Sequence, residues 1–151
     1  MDVHEKIAFI ENNSELLQDW WHTDQLVQFM GKDFTFEVAF EYAQKYVNSS
    51  ETFMRRWGYV MFIPRLVKDR NKTEKLISLL KNDNEYYVVM AEAWLISYLA
   101  MFDVETTYQY LKNCDLNYDI VGKAIQKIYD SYVVSAENKT IFKELRLLWK
   151  K

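Results

Sequence analysis

The chain has 151 residues, half of them hydrophobic and 17% aromatic, with 19 basic and 22 acidic side chains for a net charge of −3. That length fits one domain over 1–151, and the apolar and aromatic content excludes disorder for most of it. Three glycines and one proline leave too few turns for an all-β sandwich or barrel, which needs a turn signal every roughly 8–12 residues. Neither GxGxxG nor GxxxxGK[ST] occurs, which excludes the Gly-rich phosphate loops. One cysteine, Cys114, excludes an internal disulfide and a multi-thiolate metal site, so a reducing, cytoplasmic setting is expected. The longest apolar runs, such as Val88–Ala91 and Trp94–Ile96, fall far below the about 18 residues a bilayer demands, so no membrane partner is expected.

In chain order, three- and four-residue apolar spacing predicts helices almost throughout. Ile7, Phe9 and Ile10 begin the first. Asn13 or Ser14 caps a second that runs to Met30 and stops near Gly31. Residues 34–47 form a third, with Phe36, Phe40, Ala43 and Val47 on one stripe. Ser49 or Ser50 caps a fourth from Glu51 onward, which Pro64 ends or kinks. Asn71 with Glu74 reads as a capping-box-like start for a fifth, to Leu80. Asp83 caps a sixth, Asn84–Met101, and Asp103 a seventh, Val104–Asn113. An eighth covers Tyr118–Val133, and Ser135 caps a ninth reaching Leu148. No stretch alternates with period two for long enough to be a strand.

These helices pair, and the unit recurs every 36 to 40 residues. Trp20, Arg56 and Trp94 are 36 and 38 apart, and Lys127 follows 33 later, each in the second helix of its pair. The period is that of HEAT-like repeats, so the expected fold is all-α: about nine helices stacked in pairs as a curved superhelix. Equivalent helices of such a stack line one face, which would bring Trp20, Asp24, Arg56, Trp94 and Lys127 to a shared surface. The charge runs in blocks. Residues 49–82 hold eight bases and three acids, residues 119–151 seven and four, and the intervening blocks are acidic. The blocks are either solvated helix faces or two basic segments meeting on one surface.

Chemistry-bearing residues are few. With only His4 and His22 and no HExxH, no cofactor or metal site is expected. Trp20 and Asp24 are i, i+4 and share a helix face. An indole beside a carboxylate suits a cationic, sugar-like species; buried packing and an ordinary ion pair are the alternative. Arg56, within Arg55-Arg56-Trp57, either holds phosphate or pairs with Asp24. Tyr86, Tyr87, Trp94 and Tyr98 form an aromatic strip, and Lys123 and Lys127 an i, i+4 basic pair.

Three stretches resemble the AlkD-type DNA alkylation repair family of HEAT-like helical solenoids. They are Asp19-Trp20 with Asp24, Phe53-Met54-Arg55-Arg56-Trp57-Gly58-Tyr59-Val60-Met61, and Tyr86-Tyr87-Val88-Val89-Met90-Ala91-Glu92-Ala93-Trp94. The last is followed by Lys123-Ala124-Ile125-Gln126-Lys127-Ile128 and Asp130-Ser131-Tyr132. The resemblance implies a DNA glycosylase releasing N3- and N7-alkylated purines from duplex DNA. Asp24 would be the catalytic carboxylate, Trp20 and Trp94 the aromatic walls at the lesion, Arg56 a phosphate contact, and Lys123 and Lys127 further backbone contacts. The chain departs from the pattern at Val133, where an arginine is typical, and at Glu92, within an apolar motif. About one helix precedes Trp20, where the family's enzymes carry more. These departures, with the negative charge, keep an alternative open: a catalytically inactive helical-repeat module that binds a protein partner or itself.

Overall fold

The computed structural model describes residues 1–15 and 23–149, residues 23 and 24 by their backbone alone. Among the described residues there are nine α-helices and no strand. The helices are α1 (Val3–Asn12), α2 (Thr23–Met30), α3 (Phe36–Tyr46), α4 (Thr52–Val60), α5 (Thr73–Ile77), α6 (Tyr86–Phe102), α7 (Val104–Asn113), α8 (Tyr118–Asp130) and α9 (Ala136–Trp149). Two short 3₁₀ turns, Leu66–Lys68 and Arg70–Lys72, precede α5.

Local chemistry sets most of the boundaries. Asp2 accepts the Glu5 N–H while Glu5 reaches back to the Asp2 N–H, a capping box that starts α1. Thr35, Asp103 and Ser135 cap α3, α7 and α9 by accepting the N–H three residues on. Gly31, at φ 79°, ends α2 in the left-handed region open to glycine. The expected second helix upstream of Thr23 lies largely outside the described residues.

Three expected boundaries move. The Asn71–Glu74 box does not form, because the Asp69 carboxylate takes the Asn71 N–H and winds a 3₁₀ turn instead. Helix α5 then starts at Thr73 without a side-chain cap and ends after five residues. Asp83 takes the Glu85 N–H in a turn held by Arg55, so α6 begins at Tyr86 rather than Asn84. Helix α8 stops at Asp130, short of Val133, where Ser131 turns extended and its Oγ accepts the Val133 N–H. Helix α4 ends at Val60, and the turn after it carries the cis Ile63–Pro64 bond.

The helices form two layers. Helices α4, α6 and α8 pack side by side; α3 packs on α4, α5 on α7, and α9 on both α7 and α8. Helix α1 lies against α3 through His4 with Tyr42 and a 2.8 Å hydrogen bond from the Tyr46 hydroxyl to Glu11. The repeat is written into the bonds between neighbouring units. Tyr46 to Glu11 spans 35 residues, Lys72 to Glu37 spans 35, and Lys81 Nζ to Asn48 spans 33. Arg70 to Asp103 and Asn82 to the Asp115 carbonyl span 33, and the Asn117 N–H to Asn82 spans 35. A constant offset in sequence between corresponding contacts is what a stack of similar helix pairs produces.

Helix α6 is the hinge of the packing. Val88, Ala91, Leu95 and Leu99 join an N-terminal core with Met30, Phe34, Phe36, Trp57, Tyr59 and Phe62. Val89, Ala93, Ile96 and Ala100 join a C-terminal core with Ile120, Val121, Ala124, Ile125, Ile128 and Phe142. Buried on two sides, α6 must be apolar over most of its surface, and its sequence YYVVMAEAWLISYLAMF contains a single charge.

Candidate nucleic-acid interface

The tight crossing of α3 and α4 places the basic segment. Gly58 permits it: a Cβ there would meet Val47 Cγ1 at 2.8 Å and the Val47 nitrogen at 3.1 Å. The preceding Arg55 and Arg56 then diverge. Arg55 donates to Asp83 at 2.8 and 3.4 Å and to the Ser49 and Ser50 carbonyls at 3.2 and 3.3 Å. Its guanidinium ties the α3–α4 turn to the α5–α6 connection and, with backbone N–H groups, holds the Asp83 carboxyl below its ordinary value against the effect of burial.

Arg56 enters the α4–α6 interface. It is 6% exposed, and Nη1 donates to the Tyr87 carbonyl at 2.8 Å. Burial pulls its pKa down from the ordinary value, yet an arginine so placed stays charged. Trp94 lies two turns along α6, half-buried against the N-terminal core, its indole edge-on to Tyr98 at 6.4 Å. On α8, Lys123 is exposed and Lys127 half-exposed. Arg56, Trp94 and the lysine pair therefore stand on three successive helices of one layer. Asp24 falls in the first turn of α2, where its side chain lies outside the described residues, and Trp20 lies outside them altogether. The Trp20–Asp24 platform and the Asp24–Arg56 pair lie outside with them.

Two features escaped the sequence. Glu92 is fully buried: Oε1 accepts the Lys81 N–H at 2.9 Å, and Oε2 finds no partner. Burial pushes its pKa up to about 7, against the downward pull of the Lys81 N–H and the nearby Tyr59 hydroxyl. The signal was the charge itself, inside an otherwise apolar helix. Tyr86 and Tyr87 are exposed, 61% and 47%, where an aromatic strip is normally packed between helices. Cys114 is half-buried at the end of α7, and burial raises its thiol pKa, which does not favour a reactive thiolate. No cluster of three or more His, Cys, Asp or Glu suited to a metal ion occurs among the described residues. None of the described helices is long and apolar enough to cross a membrane.

An all-α stack of helix pairs, with cationic and aromatic side chains on successive helices of one layer, defines the class as a helical-repeat protein. The chain belongs to the DNA alkylation repair enzyme family, whose family model matches residues 2–128, from α1 to Ile128 of α8. No curated protein and no solved structure matches it.

Proposed function

We propose that this chain binds duplex DNA carrying alkylated bases and is a monofunctional glycosylase for N3- and N7-alkylated purines. Such purines are already cationic and leave readily, so the chemistry asks little of the protein. The N-glycosidic bond breaks toward the purine, and water adds to the sugar carbon and gives up a proton. Asp24 is the carboxylate that stabilises the oxocarbenium-like sugar and positions that water. Trp20 and Trp94 wall the lesion, Arg56 serves the phosphate backbone, and Lys123 and Lys127 add contacts to it. The observation that carries this reading is the family match together with Arg56, Trp94 and Lys123/Lys127 on consecutive helices of one layer.

The decisive variant is Asp24→Asn. Release of base from alkylated duplex should disappear while the melting temperature stays within a degree or so of wild type; retained release would refute the catalytic role. One observation favours the alternative of a non-catalytic module that binds a protein partner or itself. Arg56 is buried and already committed to a carbonyl, which leaves little of it for phosphate. On that alternative the wild-type chain releases no base, and light scattering at several concentrations tests self-association.

A further inference from the structure

The basic block 49–82 spends much of its charge inside the protein. Arg55, Arg70 and Lys72 face the carboxylates of Asp83, Asp103 and Glu37, and Arg56 is buried on a carbonyl. Arg65 is different. It follows Pro64 in the turn after α4, is exposed, and donates from Nη2 to the Phe34 carbonyl at 2.7 Å. Its Nε and Nη1 have no acceptor among the described residues. Phe34 is fully buried, so this bond anchors the guanidinium to the core. Two residues before Phe34 stands Lys32, also exposed. Gly31, at φ 79°, makes the turn that carries Lys32 out of α2, and the Phe34 N–H closes that turn on the Gly31 carbonyl at 3.1 Å. Between the two cations opens a cleft of about 510 Å³, lined by Val27, Gln28, Gly31, Lys32, Pro64 and Arg65. The lining holds two cations, one amide and no carboxylate. Lys6 flanks the same turn, since a Cβ on Gly31 would stand 3.4 Å from its Nζ.

We infer that this cleft is a phosphate site for duplex DNA, with Arg65 and Lys32 meeting one phosphodiester from two sides. The inference rests on the DNA-binding reading above and supplies what that reading lacks, a guanidinium that is open to the backbone where Arg56 is not. An arginine fork can pair with both free oxygens of a phosphodiester, a lysine adds a flexible point charge, and the Gln28 amide adds a donor. The place of the cleft in the fold favours a strand of duplex as the occupant. Positions 28 and 31 lie four and seven residues after Asp24, on one stripe of α2. At 1.5 Å per residue the cleft lies about 6–10 Å along the helix from the Asp24 backbone. A strand rises about 3.4 Å per nucleotide, so a strand whose sugar meets Asp24 has a phosphate two or three nucleotides away within reach of the cleft. The rival role for these cations is structural. The C-terminal end of α2 attracts positive charge by its own dipole, and cations that did only this would stabilise the fold without touching DNA.

The test is fluorescence anisotropy of a labelled undamaged duplex and of the same duplex carrying an alkylated purine, over a range of salt, with base release followed in parallel. Lys32→Gln and Arg65→Gln should each weaken binding of both duplexes by the same factor, because a phosphate contact carries no base information. The double variant should lower the slope of log affinity against log salt by about 1, the loss expected for one phosphate shared by two side chains. Arg65→Lys, which keeps the charge, should retain most of the affinity. Lys112→Gln removes the same charge from an exposed position on α7 and should change nothing. Melting curves check the fold of each variant. A double variant with a lower melting temperature but unchanged affinity and slope overturns the site and leaves the cations to the end of α2. An equal loss in Lys112→Gln also overturns it, since bulk charge would then be the cause. In either case base release can persist. Binding that depends on the cleft without base release upholds the site and removes the glycosylase. No binding of either duplex by wild type removes both.

Discussion

The two cores on either side of α6 are built differently. The N-terminal core is aromatic, with Phe34, Phe36, Trp57, Tyr59 and Phe62, and the ionisable groups Arg56 and Glu92 are buried beside it. The C-terminal core is aliphatic, with Ile120, Val121, Ala124, Ile125 and Ile128 around one phenylalanine, Phe142. The aliphatic half is a spacer that carries Lys123 and Lys127 outward. The aromatic half carries Arg56 and the exposed rings of Tyr86 and Tyr87, and it holds buried ionisable groups that an apolar core would be more stable without. Ordinary packing explains the first half, whereas the second carries features that packing alone does not demand. The shared helix joins the two: α6 is apolar on the faces it gives to both cores, and its remaining positions include the rings Tyr86, Tyr87, Trp94 and Tyr98 and no cation.

The largest expected effect tests whether the two cores are one cooperative unit. Trp57 is fully buried, and Trp57→Ala should cost about 3–5 kcal/mol. Because α6 belongs to both cores, thermal unfolding followed by circular dichroism should remain a single, earlier transition. Two separated transitions would break the picture of a shared helix.

Next comes the buried carboxyl. The pKa of Glu92 in the folded chain is raised from 4.5 to about 7, so the folded state holds a proton that the unfolded state has released. Its contribution is therefore fully present below pH 4.5 and is lost as pH rises through about 7, to a total of about 3 kcal/mol at 1.36 kcal/mol per pKa unit. Denaturant midpoints should fall from pH 5 to pH 8 in wild type and fall much less in Glu92→Gln. An equal fall in both would assign the pH dependence to another group.

A smaller effect belongs to the α3–α4 crossing. Gly58→Ala puts a methyl group within 2.8 Å of Val47 Cγ1 and 3.1 Å of the Val47 backbone nitrogen, and the backbone cannot turn aside as a side chain can. A loss of about 1–3 kcal/mol is expected in chemical denaturation. No loss would mean that the two helices can move apart, and that Arg56 is less firmly placed than its bond to Tyr87 implies.

Much of the fold was legible in the sequence because its signals are local or periodic. Asp103 and Ser135 announce their helices, Gly31 ends one, and the 36- and 38-residue spacings anticipate the 33- to 35-residue offsets of the bonds between units. The boundaries that moved did so where two side chains competed for one turn. Asp69 displaced Asn71, and Asp83 answered to Arg55 as well as to its own helix. The face was harder to read. That Arg56 and Trp94 share a layer follows from the period. That Arg56 is buried against a carbonyl, and that Tyr86 and Tyr87 stand exposed, depends on how α4 and α6 settle against each other across 31 residues of chain.

The most direct test of the DNA reading is to titrate wild-type protein against duplex carrying an alkylated purine and against the undamaged duplex, at several salt concentrations, scoring base release in the same tubes. With Lys123 and Lys127 as the exposed cations of the face, log affinity should fall with log salt at a slope of about 2, to which a phosphate held by Lys32 and Arg65 adds about 1. The alkylated duplex should bind more tightly and lose its base. No binding even at the lowest salt, or equal binding of both duplexes with no base released, would contradict it.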